Sequence, residues 1–268
     1  YSHFRHGARS PLIEGSKDIL GNEWKNGGEL TDVGERMHYT LGVYNRMKYK
    51  NFLSEKYNPS ELYIISSNIN RTIMSAYCQM QGLYSPGMLQ NISEEQKIIS
   101  YPPLGNETIK QLEEFANKSL KNDPLLEKVN SIPIHVFNDK ERRIRISDSD
   151  ICPAAANLTG DKNSVNDAAK NFYKNYGIQI EKFINTSKGY LSDFSNIFKF
   201  CDIFIADYFD KRDFSQFENI TELEPKEVNE ACNNIFKTSF HKRTYGGEGE
   251  KLAVAQSSPF MAEFKSFL

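Results

Sequence analysis

Apolar residues recur at helical spacing between Thr31 and Met47. The positions on this face are Val33, Met37, Leu41, Tyr44 and Met47. An apolar residue at every third or fourth position forms one continuous face on an α-helix, and that face packs against a core. Thr31 and Asp32 stand at the start of the pattern and can accept hydrogen bonds from the first free N–H groups of the helix. The segment therefore predicts an amphipathic helix that begins near Thr31.

A short strand and a second helix follow. The run from Glu61 to Ser66 is rich in tyrosine and isoleucine and lies between the polar pairs Asn58-Pro59 and Ser67-Asn68, which predicts a strand. A second helix is predicted from Arg71 to Leu83, where the apolar residues at helical spacing are Ile73, Met74, Tyr77 and Met80. Tyr1 to Phe4 is interpreted as the end of a further strand. Strands that alternate with helices are typical of a parallel α/β sheet.

The chain changes character between residues 91 and 237. This region is rich in Asn, Lys, Asp and Ser and contains helical patterns such as Asn166 to Phe183. Gly246-Gly247 separates it from a last predicted helix, Lys251 to Phe267, which Pro259 interrupts or begins. We therefore predict an inserted, mainly helical second domain over 91–237, with an α/β core divided between 1–90 and 238–268.

Composition and charge exclude some classes of protein. The 268 residues are 39% hydrophobic, which is enough for a packed core and argues against disorder. The 33 basic and 35 acidic residues give a formal net charge of −2, which indicates neither a nucleic-acid nor a membrane-surface partner. No apolar run in the sequence approaches the length of a membrane span.

Cysteines and glycosylation triplets favour a secreted protein or one of the lysosomal or vacuolar lumen. Cys78, Cys152, Cys201 and Cys232 form no C-x-x-C pair, so they permit disulfides without defining their pairing. N-x-[ST] triplets, the acceptor sites for N-linked glycans, exceed the number expected by chance. They begin at Asn70, Asn91, Asn106, Asn117, Asn157, Asn185 and Asn219.

The candidate chemistry lies in the sequence Arg5-His6-Gly7-Ala8-Arg9-Ser10-Pro11, directly after the first predicted strand. Ligands bind outside the carboxyl ends of strands in parallel α/β sheets, so a site is expected here. A nucleophilic imidazole must be unprotonated, and guanidinium groups on either side of His6 disfavour its protonation. The same groups can bind phosphate oxygens in pairs and offset the charge of a phosphoryl group.

Arg71 is placed in a similar way. It follows the predicted strand that ends at Ser66 and opens the second predicted helix, so it also lies at the carboxyl end of a strand. It would add a third guanidinium, next to a helix N-terminus that favours anions. Asn70 is therefore the triplet at which we least expect a glycan.

These motifs resemble the histidine acid phosphatase family, in particular its prostatic and lysosomal type. The segments that carry the resemblance are Arg5 to Pro11, Glu29 to Gly34, Leu41-Gly42 and Ser67 to Ala76, followed by the weaker Ile132 to His135 and Ile151 to Pro153. The resemblance implies a three-layer parallel-sheet α/β core with a smaller helical cap. It implies hydrolysis of phosphate monoesters through a phosphohistidine on His6, with Arg5, Arg9 and Arg71 holding the phosphate and with no metal or cofactor.

One departure from the family affects the expected activity. Members carry a late His-Asp or His-Glu pair that contacts the phosphate and protonates the leaving group, and no histidine of this sequence is followed by Asp or Glu. We expect that the chain is cut before this pair, and at its first strand as well, so that these residues alone have little activity. His38 and His135 are interpreted as structural and His241 as solvent-facing.

Two other functions stay open at this stage. A catalytically inactive protein that binds phosphate or phosphoproteins would keep the arginines and lack the acid. A phytase or a lysophosphatidic acid phosphatase would share the motif and differ in the cap. Partners are expected to be small-molecule or phosphoprotein monoesters, and a homodimer is compatible with the sequence.

Overall fold

The computed structural model describes residues 2–12, 17–24, 27–87, 89–103, 105–136 and 162–245. Cys152, the triplet at Asn157 and the predicted helix from Lys251 to Phe267 lie outside these ranges. The described part is helix-rich and contains a small parallel sheet. Among its helices, none is long and apolar enough to cross a membrane.

The first two helices lie where the sequence predicts them. Helix α1 runs over Asp32–Tyr49, and its N-cap Thr31 accepts a hydrogen bond from the Gly34 N–H at 3.2 Å. Helix α2 runs over Asn70–Leu83 and begins one residue before the predicted start. The two helices cross with their backbones in contact, because a Cβ atom added at Gly42 of α1 would meet the Gln79 carbonyl of α2.

The predicted apolar face of α1 is not its buried face. Met37, Tyr44 and Met47 of the predicted face are exposed. The buried residues of the helix are Gly34, His38 and Gly42, because the backbones of α2 and of the loop at Ala8 pack closely against its glycines.

The sheet is smaller than the sequence suggests. Strand β1 is Ile65–Ser66, the last two residues of the predicted strand, and it pairs in parallel with β2, His135–Val136. The expectation of a strand at Tyr1 to Phe4 is wrong for the described residues 2–4, which have no regular secondary structure. The sheet of the described part consists of β1 and β2, and residues 2–4 are not among its strands.

The remaining elements are helices. Tyr173–Gly177 forms a π-helical turn that joins α5 to α6. The helices are α3 (Glu94–Ser100), α4 (Asn106–Ser119), α5 (Lys162–Phe172), α6 (Ile178–Phe183), α7 (Phe194–Phe209), α8 (Ser215–Thr221) and α9 (Pro225–Tyr245). The helical pattern predicted from Asn166 to Phe183 lies within α5, the π-helical turn and α6, and is confirmed.

The larger hydrophobic core lies among α5 to α9. Its completely buried side chains include Ile180, Leu191, Ile197, Phe204, Phe217 and Val228. A disulfide joins Cys201 of α7 to Cys232 of α9, and both sulfurs are buried in this core. Cys78 on α2 is a free thiol. A smaller core, formed by Met80, Leu83, Tyr84 and Ile132, lies beside α2 and β2.

Candidate active site

The loop from Arg5 to Leu12 runs beside the segment that leads into α1. Ser10 donates its N–H to the Glu29 carbonyl at 2.9 Å, and the Glu29 N–H donates to Ser10 Oγ at 3.1 Å. The Thr31 N–H donates to the Ala8 carbonyl at 3.1 Å. These bonds satisfy the backbone of an irregular loop, which would otherwise lack partners. The loop is therefore held in one conformation against the start of α1.

Glycine lets the loop touch both helices. A Cβ atom at Gly7 would meet the backbone of Gly34 on α1, and one at Gly34 would meet the Ala8 carbonyl. The Gly7 N–H donates to Ser75 Oγ on α2 at 3.1 Å, and the Ser75 hydroxyl donates to the Arg71 carbonyl at 2.6 Å. Ser75 was not identified from the sequence, although it lies on the helix that Arg71 opens. It joins the loop to α2.

The hydrogen bond of His6 defines its tautomer. Nδ1 lies 2.8 Å from the Gly7 carbonyl oxygen, which can only accept, so Nδ1 carries the proton and donates. In the neutral ring the lone pair is then on Nε2. The half-buried imidazole thus has a defined nucleophilic nitrogen.

The surroundings of His6 keep it unprotonated. Burial is the largest cause and lowers the pKa of His6 from 6.5 to about 4, against the opposing effect of the Gly7 hydrogen bond. The guanidinium groups of Arg5, Arg71 and Arg9 lower the pKa further. The motif alone predicts charge repulsion, and burial is the larger effect. The structure brings the three arginines close enough to His6 for each of them to act on its pKa.

Arg5 and His38 meet at the start of the loop. The Arg5 side chain is exposed, while its backbone carbonyl accepts a hydrogen bond from His38 Nε2 at 3.0 Å. His38 on α1 is 5% exposed, and its Nδ1 faces the side-chain amide of Gln79 at 3.2 Å. His38 therefore links α1, α2 and the backbone that precedes His6.

Arg9 is held by a carboxylate from a distant part of the chain. Its NH2 group donates to Asp202 Oδ1 at 2.6 Å and its NH1 group to Asp202 Oδ2 at 3.4 Å. NH1 also donates to the Ser10 carbonyl at 2.9 Å. Asp202 on α7 was not identified from the sequence. The available signal was an aspartate within the apolar run of α7, since a buried carboxylate requires a partner.

Arg71 lies in the first turn of α2. Its NH1 group donates to the Gly28 carbonyl at 3.2 Å, and its buried Nε has no hydrogen-bond partner among the described residues. Burial lowers the pKa of Arg71, Arg9 and Arg5 lower it further, and Glu29 and Asp202 oppose this shift. The N-cap residue Ile69 offers no side-chain acceptor to the first N–H groups of α2. An anion at this end of the helix would meet a free guanidinium donor and the positive end of the helix dipole.

The sequence contains two further histidines of interest, His135 and His241. His135 is exposed in β2 and stacks on Tyr63, with the ring centroids 4.4 Å apart. His241 is in α9, and its side chain lies outside the described part. Within the described residues, no group of three or more His, Cys, Asp or Glu side chains is arranged to hold a metal ion.

The sequence that forms this arrangement matches a known protein family. A family model of the histidine phosphatase superfamily, branch 2, matches residues 4–265. The chain therefore belongs to the histidine phosphatase superfamily.

Relatives within this family are acid phosphatases by name. The chain is 38% identical over 113 residues to lysosomal acid phosphatase of Xenopus laevis, covering 41% of this chain and 26% of that protein. It is 37% identical over 108 residues to human prostatic acid phosphatase, covering 40% of this chain and 27% of the relative. Human lysosomal acid phosphatase is 34% identical over 151 residues, or 47% and 36% of the two chains. The matches thus span about a quarter to a third of the relatives' length.

Proposed function

We propose that the protein is an acid phosphatase that hydrolyses phosphate monoesters through a phosphohistidine on His6. The observation that carries the proposal is the state of His6, whose Nδ1–H is bound to the Gly7 carbonyl and whose pKa is lowered to about 4. A neutral Nε2 lone pair beside three guanidinium groups suits attack on phosphorus. The acid phosphatase names of the relatives support the same reaction.

The reaction takes two displacements. In the first, the His6 Nε2 lone pair forms a bond to phosphorus, the bond from phosphorus to the ester oxygen breaks, and that oxygen takes a proton from solvent as the alcohol leaves. In the second, water attacks the phosphorus of the phosphohistidine and gives a proton to solvent, the N–P bond breaks, and phosphate leaves. Arg5, Arg9 and Arg71 would bind the non-bridging oxygens and stabilise the charge that builds up there.

The low pKa of His6 would allow the proposed reaction to proceed at acid pH. At about pH 5, a histidine with the ordinary pKa of about 6.5 would be almost entirely protonated and could not attack. A pKa of about 4 leaves most of the His6 rings neutral at that pH. The site is therefore suited to an acidic compartment.

A secreted or lysosomal location is part of the proposal. The Cys201–Cys232 disulfide is of the kind that persists in oxidising compartments. The Asn residues of the described triplets are exposed, as glycan attachment requires. Asn70 is the exception we expect to stay unmodified, because its Nδ2, the atom that would carry a glycan, donates to Glu29 Oε1 at 3.2 Å.

We also propose the finer organisation that the family resemblance implies. In this arrangement, 1–90 and 238–268 belong to a three-layer α/β core, and 91–237 to a mainly helical cap. The parallel pairing of His135–Val136 with Ile65–Ser66 means that one piece of the 91–237 range joins the core sheet.

Hydrolysis of p-nitrophenyl phosphate by the whole protein tests the proposed activity. This ester has a good leaving group and depends little on a proton donor, so the measurement reports mainly on His6 and the arginines. We expect turnover at about pH 5 that falls by at least about 10³-fold in His6→Ala. The control is His135→Ala, at an exposed histidine with no role in the proposed reaction, which should keep full activity.

Other outcomes separate the alternatives. Binding of inorganic phosphate without turnover would favour an inactive phosphate-binding protein. Activity that is equal in the wild type and in His6→Ala would contradict the proposed nucleophile. A panel of phytate, lysophosphatidic acid and simple esters then separates a broad phosphatase from the two specialised ones.

A further inference from the structure

Asp202 is a buried carboxylate that takes no direct part in the proposed reaction. It lies on α7, and 8% of the residue is exposed. Oδ1 accepts from Arg9 NH2 at 2.6 Å, while Oδ2 accepts from Arg9 NH1 at 3.4 Å and from the Leu12 N–H at 2.9 Å. Both oxygens are thus used by the loop that carries His6. A two-point bond of this kind fixes the direction of a guanidinium as well as its position.

The bonds to Asp202 determine which edge of Arg9 stays available. Asp202 takes the edge formed by NH1 and NH2, and the Ser10 carbonyl takes the outer hydrogen of NH1 at 2.9 Å. The remaining edge carries Nε–H and the outer hydrogen of NH2, for which the described residues supply no acceptor. These two parallel donors match two oxygens of a phosphate. The same guanidinium can therefore bind Asp202 and phosphate at once.

Asp202 is itself held firmly. The preceding residue, Cys201, forms the disulfide with Cys232, and both cysteines are completely buried in the larger core. A side chain on a well-packed helix orients its partner better than one on a loop does. The direction of Arg9 is thus set by the helical part of the molecule, far along the chain from the loop.

We propose that Asp202 is a positioning residue, which orients Arg9 so that its free edge faces the phosphate. The proposal rests on the proposed function, in which Arg9 binds phosphate. It adds that the affinity for phosphate depends on a residue that does not touch it.

Removing the carboxylate has two opposing effects. Loss of a negative charge near the site would attract phosphate more strongly, whereas loss of orientation would weaken binding. In Asp202→Asn the amide nitrogen must face an N–H donor of either Arg9 or Leu12, whichever way the amide is turned. An amide N–H that faces an Arg9 N–H repels it, so Arg9 moves away from its position. A displacement of about 1 Å can cost 10²-fold in rate. We therefore expect the loss of orientation to prevail.

Calorimetric binding of inorganic phosphate by the whole protein tests the proposal without requiring turnover. We expect binding to weaken about 10-fold in Asp202→Asn and to recover in part in Asp202→Glu, which restores the charge. Arg9→Ala should weaken binding at least as much, and adding Asp202→Asn to it should cost nothing more, because the effect passes through Arg9. Asp210→Asn is the matched control, since Asp210 follows the same helix and pairs with Arg212 at 3.4 Å.

The outcomes distinguish this proposal from the proposed function. If Arg9→Ala binds phosphate as the wild type does, the assigned role of Arg9 is wrong. If Arg9→Ala weakens binding and Asp202→Asn binds as well as the wild type or better, only the positioning role is wrong. Losses that add in the double variant also contradict it. Urea unfolding of each variant shows which ones are folded in the assay. If Asp202→Asn is unfolded, the partial loss of phosphate binding expected for Asp202→Glu tests the positioning role instead.

Discussion

Two regions of the molecule are stabilised in different ways. The site region, which consists of the Arg5–Leu12 loop with α1 and α2, is held by hydrogen bonds, glycine contacts and a small core. The helical region, α5 to α9, has a larger aromatic core and the disulfide. The site region supplies every residue of the proposed chemistry, and the helical region supplies most of the buried apolar surface among the described residues.

Two carboxylates on α7 bind segments that precede α1, and Asp202 is the one that connects the helical region to the site region. Asp202 binds Arg9 and the Leu12 N–H, while Asp207 accepts from the Ile19 N–H at 2.8 Å and from Trp24 Nε1 at 2.9 Å. The difference between the regions shows how stability and positioning are divided. The helical region holds Asp202 in a packed helix, and the hydrogen bonds of Asp202 anchor the loop that carries His6.

The largest effect on stability is expected from the disulfide. Replacing Cys201 and Cys232 together with alanine should lower the free energy of unfolding by about 3 kcal/mol, because the cross-link restricts the unfolded chain. Urea unfolding measures the loss, and Cys78→Ala, which removes a free thiol, is the control. An unchanged unfolding midpoint in the double variant would show that the helical region does not depend on the cross-link.

Ser75→Ala should have a smaller effect on stability and a clear effect on the site. It removes the acceptor of the Gly7 N–H, at a cost of about 1 kcal/mol in unfolding. Because His6 precedes Gly7, turnover should fall by about 10-fold while the protein stays folded. Ser100→Ala is the control, since that hydroxyl bonds only its own helix end at Lys97. Equal activity in the two variants would mean that Ser75 does not position the loop.

Opposite pH dependences are expected in the two regions. Burial raises the pKa of Asp207 from 3.8 to about 6, so the folded protein binds this proton more tightly than the unfolded chain does. The stabilisation that Asp207 gives the folded protein is therefore lost as pH rises from about 4 to 6. The pKa of His6 is lowered from 6.5 to about 4, so the unfolded chain binds this proton more tightly than the folded protein does. The contribution of His6 to the stability of the folded protein is therefore lost as pH falls from about 6.5 to 4.

Two variants separate these contributions. Relative to the wild type, Asp207→Asn should gain stability as pH rises from 4 to 7, and His6→Gln should gain stability as pH falls over the same range. Urea unfolding at several pH values measures both. Curves that stay parallel to the wild type would show that neither group titrates differently in the folded protein.

Patterns between residues close in sequence predicted the first two helices and the loop motif. The apolar spacing located α1 and α2, with Thr31 marking the start of α1. The Arg5–Pro11 motif, together with Arg71, located residues that the structure brings together. The predicted strand from Glu61 to Ser66 was too long, because ladder formation depends on a partner strand as well as on β propensity.

Contacts between distant segments could not be predicted. The bond between Arg9 and Asp202 joins residues 193 positions apart, and no periodicity encodes such a pairing. The same holds for the choice of Cys232 as the partner of Cys201, since spacing alone leaves every pairing open. His38 stood out in the sequence as a helical residue, but its bond to the Arg5 carbonyl required the three-dimensional arrangement.

Isolation of the phosphorylated enzyme tests the central claim most directly. The whole protein would be mixed with a ³²P-labelled aryl phosphate at about pH 5, quenched in alkali and digested, and the labelled peptide sequenced. The account predicts a label that is stable in base and labile in acid, on the peptide that contains His6, and absent from His6→Ala. A label on another residue, or rapid turnover with no labelled intermediate on His6, would contradict it.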